Sequence, residues 1–228
     1  MTMPRVEFER APDYRHEITA RADRIRLLLV PERRYLAIDG ADPPGSQGFG
    51  EAIGTLYPVA YTLHFALKRR GVEAPVGALE GLYWIRQPGP ITAEQFGASP
   101  EARGPWCWRL LLPVPDAATE EDVAAAIDEV ARKKRPPLLD RLRCEAWEEG
   151  PVAQVMHVGP YAAEPATIER LHGAIGERGL RPRGCHHEIY ISDPNRTPPE
   201  RLKTLLRQPV EAAELAGVSQ RTRGVQRS

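Results

Sequence analysis

The chain has 228 residues, 42% hydrophobic and 27% charged, with 31 Lys and Arg balanced by 31 Asp and Glu. That composition fits a soluble globular protein rather than a disordered one, and zero formal net charge argues against a surface built to neutralise phosphates, so nucleic acid is not an expected partner. No uncharged apolar run approaches the roughly 20 residues of a membrane span. The N-terminal MTMPRVEFER has no apolar core of a secretory signal, so a cytoplasmic location without a membrane partner is expected.

The predicted elements run as follows. Residues 1–24 are polar and mixed in charge and read as a loosely attached arm. Residues 25–30 and 34–39 are short strands broken at Pro31, and the Gly40 to Gly48 segment is a turn-rich loop. Its Asp and two prolines, with no following Lys-Ser or Lys-Thr, do not suit a phosphate cradle. Leu56, Ala60, Leu63 and Leu67 recur at helical spacing over residues 51–70, which stop at Gly71. Strands over 78–85 and 106–114 flank a Pro/Gly-rich excursion. Thr119, with Asp122 three residues on, caps a helix over 119–134, which Pro136-Pro137 ends. Strands over 141–148 and 151–158 lead to a Gly159-Pro160-Tyr161 turn, a helix over 164–178 stopped by Gly179, and a strand over 186–192. A short helix opened by Pro198-Pro199 and a strand over 205–210 follow, and residues 213–228 read as a flexible tail.

An ungapped offset of 108 pairs Leu63 with Leu171, His64 with His172, Ala66 with Ala174, Arg70 with Arg178, Gly71 with Gly179 and Glu80 with Glu188. Two copies of one α+β unit are implied, repeat one over about 25–115 and repeat two over about 141–212, bridged by a helix near 119–135. The expected fold is therefore α+β: duplicated strand-helix-strand-strand units forming antiparallel sheets packed by helices, in one domain over 25–212. A pocket between the repeats would take one matching residue from each half.

Strand alternation puts Glu80, Leu82 and Trp84 on one face, and His186, Glu188 and Tyr190 on one face of the other glutamate strand. If the more apolar faces pack beneath the helices, the remaining faces gather Glu80 and Glu188 with Tyr190, Trp84 and Trp108. Trp147 and Tyr61 extend this expected lining. Carboxylates among aromatic rings suit a flat lipophilic or cationic small molecule, through stacking, cation–π attraction and counter-charge. Tyr161 is a candidate donor to a ligand oxygen. His186 and His187 point to opposite faces and cannot chelate together, and the three cysteines, Cys107, Cys144 and Cys185, form no ligand ladder. No metal and no cofactor are expected.

Leu79-Glu80-Gly81-Leu82-Tyr83-Trp84, the run from Glu149-Gly150 through Gly159-Pro160-Tyr161, and His186-His187-Glu188-Ile189-Tyr190 up to Pro194 resemble signature segments of the GyrI-like small-molecule-binding family. So do Val30-Pro31-Glu32 with Ile38-Asp39-Gly40, the helix from Leu56-Tyr57 to Ala60-Tyr61, and Leu202 to Arg207, which look like its stand-alone branch. Tyr83 stands where the family pattern leads one to expect Trp. The resemblance spans roughly residues 14–212 and implies a duplicated fold with a hydrophobic pocket between repeats, Glu188 as pocket glutamate and Tyr161 as the turn tyrosine. It also implies a function: binding lipophilic drugs, or acting as a cyclopropanoid cyclopropyl hydrolase on DNA-alkylating compounds, with Glu188 and Tyr161 as catalytic groups. A non-catalytic multidrug-binding protein is the alternative, and a partner-binding topoisomerase inhibitor follows from the family name alone. A monomer or weak dimer is expected.

Overall fold

Pro31 and Gly150, expected to separate pairs of short strands, instead bend two long strands at the same rung. In the computed structural model, which describes residues 6–98 and 104–213, β1 runs unbroken over Arg26–Gly40 and β4 over Arg143–Val158. Their antiparallel register, Val30↔Gly150 and Glu32↔Glu148, passes over the rung between, which holds Pro31 and Glu149. Proline has no N–H to give the ladder, and Gly150 takes φ +71°, so the two strands kink together without losing their pairing.

The remaining elements are α1 (Tyr14–Glu17), α2 (Gln47–Arg69), β2 (Leu79–Ile85), α3 (Ala93–Gly97), β3 (Trp106–Pro113), α4 (Glu120–Lys133), α5 (Glu164–Glu177), β5 (Leu180–Pro182), β6 (His186–Tyr190) and β7 (Lys203–Ala212). The helix boundaries follow local chemistry. The Ser46 hydroxyl accepts the Phe49 N–H at the start of α2, and Thr119 and Asp122 form the expected capping box of α4. Gly71 and Gly179, the two expected helix stops, both have positive φ, +78° and +68°. Only a 3₁₀ turn, Pro199–Arg201, stands where the short helix after Pro198 was expected.

The strands pair in the order β4-β1-β3-β2-β6-β7, and β7 pairs with β4, so the antiparallel sheet closes on itself. β5 attaches to the end of β7. Outside this barrel, Leu56, Val59, Leu63 and Leu67 of α2 pack with Ile38 and Leu110, and α4 lies against α2. Ile168, Leu171 and Ile175 of α5 pack with Val155, Leu206 and Val210 in a separate cluster. The outer face of β2 and β6 lies between these two helix-covered zones.

The interior is polar at its centre. The His187 imidazole stands between two carboxylates, Nδ1 2.9 Å from Glu149 Oε1 and Nε2 3.0 Å from Glu80 Oε2. Arg207 donates to Glu149 Oε2 at 3.0 Å, to Glu17 Oε1 at 3.3 Å and to Gln154 Oε1 at 2.9 Å. Arg33 donates to Glu17 Oε2 at 2.8 Å, and the Tyr14 hydroxyl donates to Glu80 Oε1 at 2.7 Å. Residues 14–17, read from the sequence as part of a loose arm, are thus anchored by the barrel's own charges, with Glu17 fully buried. Burial alone would lower the His187 pKa, but the Glu149 and Glu80 carboxylates outweigh it and raise it to about 9. Burial likewise opposes ionisation of Glu149, yet the His187 and Arg207 charges hold its pKa down at about 2.

The linkage has a sign on each side. Glu149 contributes stability above its unfolded value of 4.5 that is lost as pH falls through about 2, and His187 contributes stability below 6.5 that is lost as pH rises through about 9. Glu149→Gln leaves Arg207 and His187 short of buried counter-charge and should destabilise by about 3–5 kcal/mol in urea unfolding at pH 7. The loss should shrink at pH 2. A loss that is the same at both pH values would show that the charge of Glu149 is not what matters.

Candidate functional site

Glu188 faces outward from β6, directly opposite Gly81 of β2 in the register Gly81↔Glu188. Glycine at that rung is required by what crosses it. The Tyr83 ring lies over Gly81, so a Cβ built there would fall 2.7 Å from Tyr83 Cε2 and 2.8 Å from its hydroxyl oxygen. Tyr83 thereby reaches across to the Tyr190 hydroxyl, and Tyr190 donates to Glu188 Oε2 at 2.8 Å. Since the one Tyr190 proton points to Glu188, Tyr83 is the donor to Tyr190. Burial and the Glu188 charge push both phenols well above 10, so both keep their protons at neutral pH.

Further groups close around this carboxylate. His186 is fully buried with Nε2 3.4 Å from Glu188 Oε1. Glu164, in the first turn of α5, is only 2% exposed. Burial first, and then the neighbouring Glu188 charge, push its pKa up to about 9, which leaves it a neutral acid at pH 7. Tyr161, 41% exposed, presents its ring edge-on to Tyr190 with centroids 6.1 Å apart. Its phenol is also raised, by burial and by Glu164, Glu188 and Asp193. Asp193 raises the Tyr57 phenol on α2 as well, behind burial and Tyr61, so Tyr57 and Tyr161 approach the same carboxylate from the two halves. Tyr61 stacks on Tyr57 at 6.0 Å and is 49% exposed. At the other end, Tyr83 meets Trp106 at 6.0 Å, and Phe96 of α3 meets Trp106 at 5.2 Å and His186 at 4.8 Å.

Of the residues singled out from the sequence, Glu188, Tyr190 and Tyr161 come together here, and Tyr61 stands at the exposed side. Glu80, Trp84 and Trp147 do not. Glu80 pairs in register with Ile189, not Glu188, and points into the barrel beside His187, while Trp84 and Trp147 pack with Tyr35, Ala37 and Leu111. Trp108 is buried beneath α2, its ring edge-on to Phe49 at 5.2 Å and its Nε1 donating to the Asp42 carbonyl at 2.8 Å. The error is one of phase. The offset of 108 holds for the helices and their glycine stops, but in the ladder it is Gly81, not Glu80, that stands opposite Glu188, so Gly81 and Tyr83 share its face and Glu80 takes the other. One residue is enough to turn a strand's whole side-chain set over. That face of the sheet thus receives Glu188 from one half and bare glycine from the other.

Sequence reasoning did not single out Glu164, His186, Trp106 or Phe96 as lining, and took Tyr83 for the opposite face from the glutamates. A glutamate in the first turn of a helix ordinarily reads as a solvated dipole partner, so Glu164 carried no signal. Among the described residues no group of three His, Cys, Asp or Glu is placed to hold a metal ion, and no helix is long and apolar enough to cross a membrane.

Three comparisons bear on this arrangement. A family model described as the GyrI-like small molecule binding domain matches residues 117–211. No curated protein matches. Among solved structures, an uncharacterized conserved protein from Listeria innocua is 30% identical with a TM-score of 0.76, covering 87% of this chain and 97% of that one. A hydrolase from Listeria innocua is 32% identical with a TM-score of 0.70, covering 86% and 96%. The C-terminal domain of EcmrR, 13% identical with a TM-score of 0.52 over 83% of this chain and 98% of that one, speaks for the fold alone.

Gly81→Ala should push Tyr83 off its rung and cut the Tyr83–Tyr190–Glu188 chain, at an overpacking cost of about 1–3 kcal/mol. In a Tyr83→Ala background Gly81→Ala should cost much less than in wild type; an equal cost in both backgrounds would refute the steric account. Glu164 makes a second test. With a folded pKa of about 9 against 4.5 unfolded, it erodes stability as pH rises from 4.5 to about 9, because only the unfolded chain ionises it freely. Glu164→Gln should therefore gain in melting temperature relative to wild type between pH 5 and pH 8.5. A difference that does not change with pH would mean the carboxyl is not held neutral.

Proposed function

The chain belongs to the GyrI-like small-molecule-binding family, and from that premise we propose that it binds flat lipophilic molecules, neutral or singly cationic, beside Glu188 on the outer face of β2 and β6 and hydrolyses those carrying a strained electrophilic ring. The observation that carries this reading is the carboxyl pair: Glu188 held by the Tyr190 hydroxyl, and Glu164 beside it pushed up to about 9 by burial and the Glu188 charge. A carboxyl that keeps its proton, next to a second carboxyl, puts a candidate acid beside a candidate base. The hydrolase from Listeria innocua, similar over 86% of this chain, supports turnover rather than binding alone.

For a spiro-cyclopropane conjugated to a dienone, as in cyclopropanoid DNA-alkylating compounds, the step balances as follows. Glu188 takes a proton from water as the water oxygen bonds to the cyclopropane CH₂. The ring C–C bond breaks and its electron pair passes into the dienone, which becomes an aromatic phenolate. That oxygen is met by groups that keep their protons at neutral pH, the Tyr161 hydroxyl and the Glu164 carboxyl, and takes a proton to complete the addition of water. Release of ring strain and gain of aromaticity drive the reaction, so the residues need supply only positioning and proton transfer.

A second reading, binding without turnover, is favoured by the Tyr190 hydrogen bond that fixes Glu188 Oε2, with the His186 imidazole 3.4 Å from Oε1. That holds the carboxylate as a fixed counter-charge for a cation. The two readings separate on incubation of substoichiometric protein with a cyclopropanoid alkylator, with ring-opened product followed by mass spectrometry. Hydrolysis predicts many turnovers, reduced about 10²–10⁴-fold in Glu188→Gln while the substrate still binds. Binding alone predicts no product and, in Glu188→Gln, weaker affinity for cationic dyes than for neutral ones.

A further inference from the structure

Surplus guanidiniums gather beside the C-terminal half of α5. Residues 6–25 wrap past the start of β1 before the chain enters it. Glu9 pairs in parallel there, its N–H donating to the Leu27 carbonyl at 3.0 Å and its carbonyl accepting from the Leu29 N–H at 2.9 Å. The segment then dips to bury Glu17 and returns toward α5, where the Ala22 carbonyl accepts from Arg170 at 2.7 Å. Between this wrap and α5 lies a cleft of about 1060 Å³, the size of a large small-molecule site. Among the described residues, none that lines it belongs to the face that carries Glu188.

The cleft has an apolar floor and a charged wall. Phe8, Ile25 and Leu27 are half-buried against the Ile168–Leu171–Ile175 cluster, and Ala174 faces them from α5. The wall holds five arginines and four carboxylates. Two of those carboxylates are saturated. Arg26 donates to both oxygens of Glu9, at 2.6 and 2.9 Å, and Arg21 to both oxygens of Asp23, at 2.8 and 2.9 Å. Arg24, Arg170 and Arg178 are left over. Among the described residues none of the three is hydrogen-bonded to a carboxylate; Arg170 donates to the Ala22 carbonyl and Arg178 to the Ala174 carbonyl. A guanidinium carries five N–H donors in a planar fork that matches a carboxylate or sulfonate, so one carbonyl bond leaves most of the fork free. Glu7 and Glu177 stand against these three cations, and the wall keeps one net positive charge.

We propose that this cleft is a second binding site, for an amphipathic monoanion: an acyl or aromatic carboxylate or sulfonate. The apolar body lies on Phe8, Ile25 and Leu27, and the charge is met by Arg24 and Arg170. One surplus charge suits a monoanion, whereas a phosphate dianion would leave Glu7 and Glu177 opposed to it. The inference does not rest on the Glu188 reading, and its ligands carry the opposite charge.

The test is titration of anilinonaphthalene sulfonate, followed by fluorescence, into the folded full chain at neutral pH. Wild type should bind it, and the double variant Arg24→Gln/Arg170→Gln should bind at least about tenfold more weakly. Both arginines are exposed, and a melting temperature near that of wild type shows that weaker binding is not unfolding. Ala174→Trp, which fills the cleft without removing a charge, should weaken the probe comparably. Decanoate should displace it at least about tenfold more strongly than decanol of the same chain length. Equal displacement by the two would overturn the anion and leave only a lipophilic groove. Wild-type affinity in both variants, or no binding by wild type, would overturn the site. So would stronger binding in Glu188→Gln, which would put the probe at the Glu188 face instead.

Discussion

Closure of the sheet is the constraint on which the rest of the molecule depends. β4 is long enough to pair with β1 along one edge and β7 along the other, and once it does, every strand residue is assigned to an inside or an outside with nothing between. Neighbours on β6 show how sharp the division is. His187 goes into the barrel, between Glu80 and Glu149, and Glu188 goes out to the face between the two helices. An open sheet would leave such a strand free to slip; a ring of six paired strands cannot shift one register without breaking two ladders.

That division separates charges that must not meet. The interior groups Arg33, Arg207 and His187 with Glu17, Glu80 and Glu149, a set in which each cation has a carboxylate within hydrogen-bonding distance. Networks of this kind add little net stability against an apolar core of the same shape, but they punish the removal of any one member. They also explain why the N-terminal segment is held: Glu17 supplies a carboxylate that Arg33 and Arg207 share. The outer face has no such compensation. Among the described residues no Arg or Lys reaches Glu188 or Glu164 there, and burial with the Glu188 charge leaves a retained proton on Glu164. The site's charge is thus set by what the barrel keeps out of it.

Asymmetry between the halves turns a duplicated scaffold into a site. Had the second half's glutamate been matched across the rung, two carboxylates would face each other and no ring could lie between. Gly81 in that place lets Tyr83 cross to Tyr190, so the first half contributes a donor chain and the second contributes the acceptor. The excursion before β3 adds Phe96 to the same face, again from one half only.

By itself the sequence located the three long helices, the Thr119 cap, the Gly71 and Gly179 stops, most of the strand segments and the repeat. Those depend on neighbours within a few residues: Thr119 caps because its own hydroxyl reaches the next turn, and Gly71 and Gly179 stop helices because only glycine takes positive φ freely. Glu188, Tyr190 and Tyr161 were recognisable because they sit in short motifs whose residues stay together on folding. The faces of the strands were another matter. The 108-residue offset matched Glu80 with Glu188 and grouped them on one expected lining, whereas the ladder sets Gly81 opposite Glu188 and turns Glu80 to the other face. Only the closed ladder decided that Glu80, Trp84 and Trp147 point inward, that Trp108 lies under α2, and that Phe96 and Trp106 gather beside His186 on the face that carries Glu188. Side-chain direction alternates with a period of two along a strand, so the pairing register between distant segments, which no local pattern encodes, chooses which residues form the site.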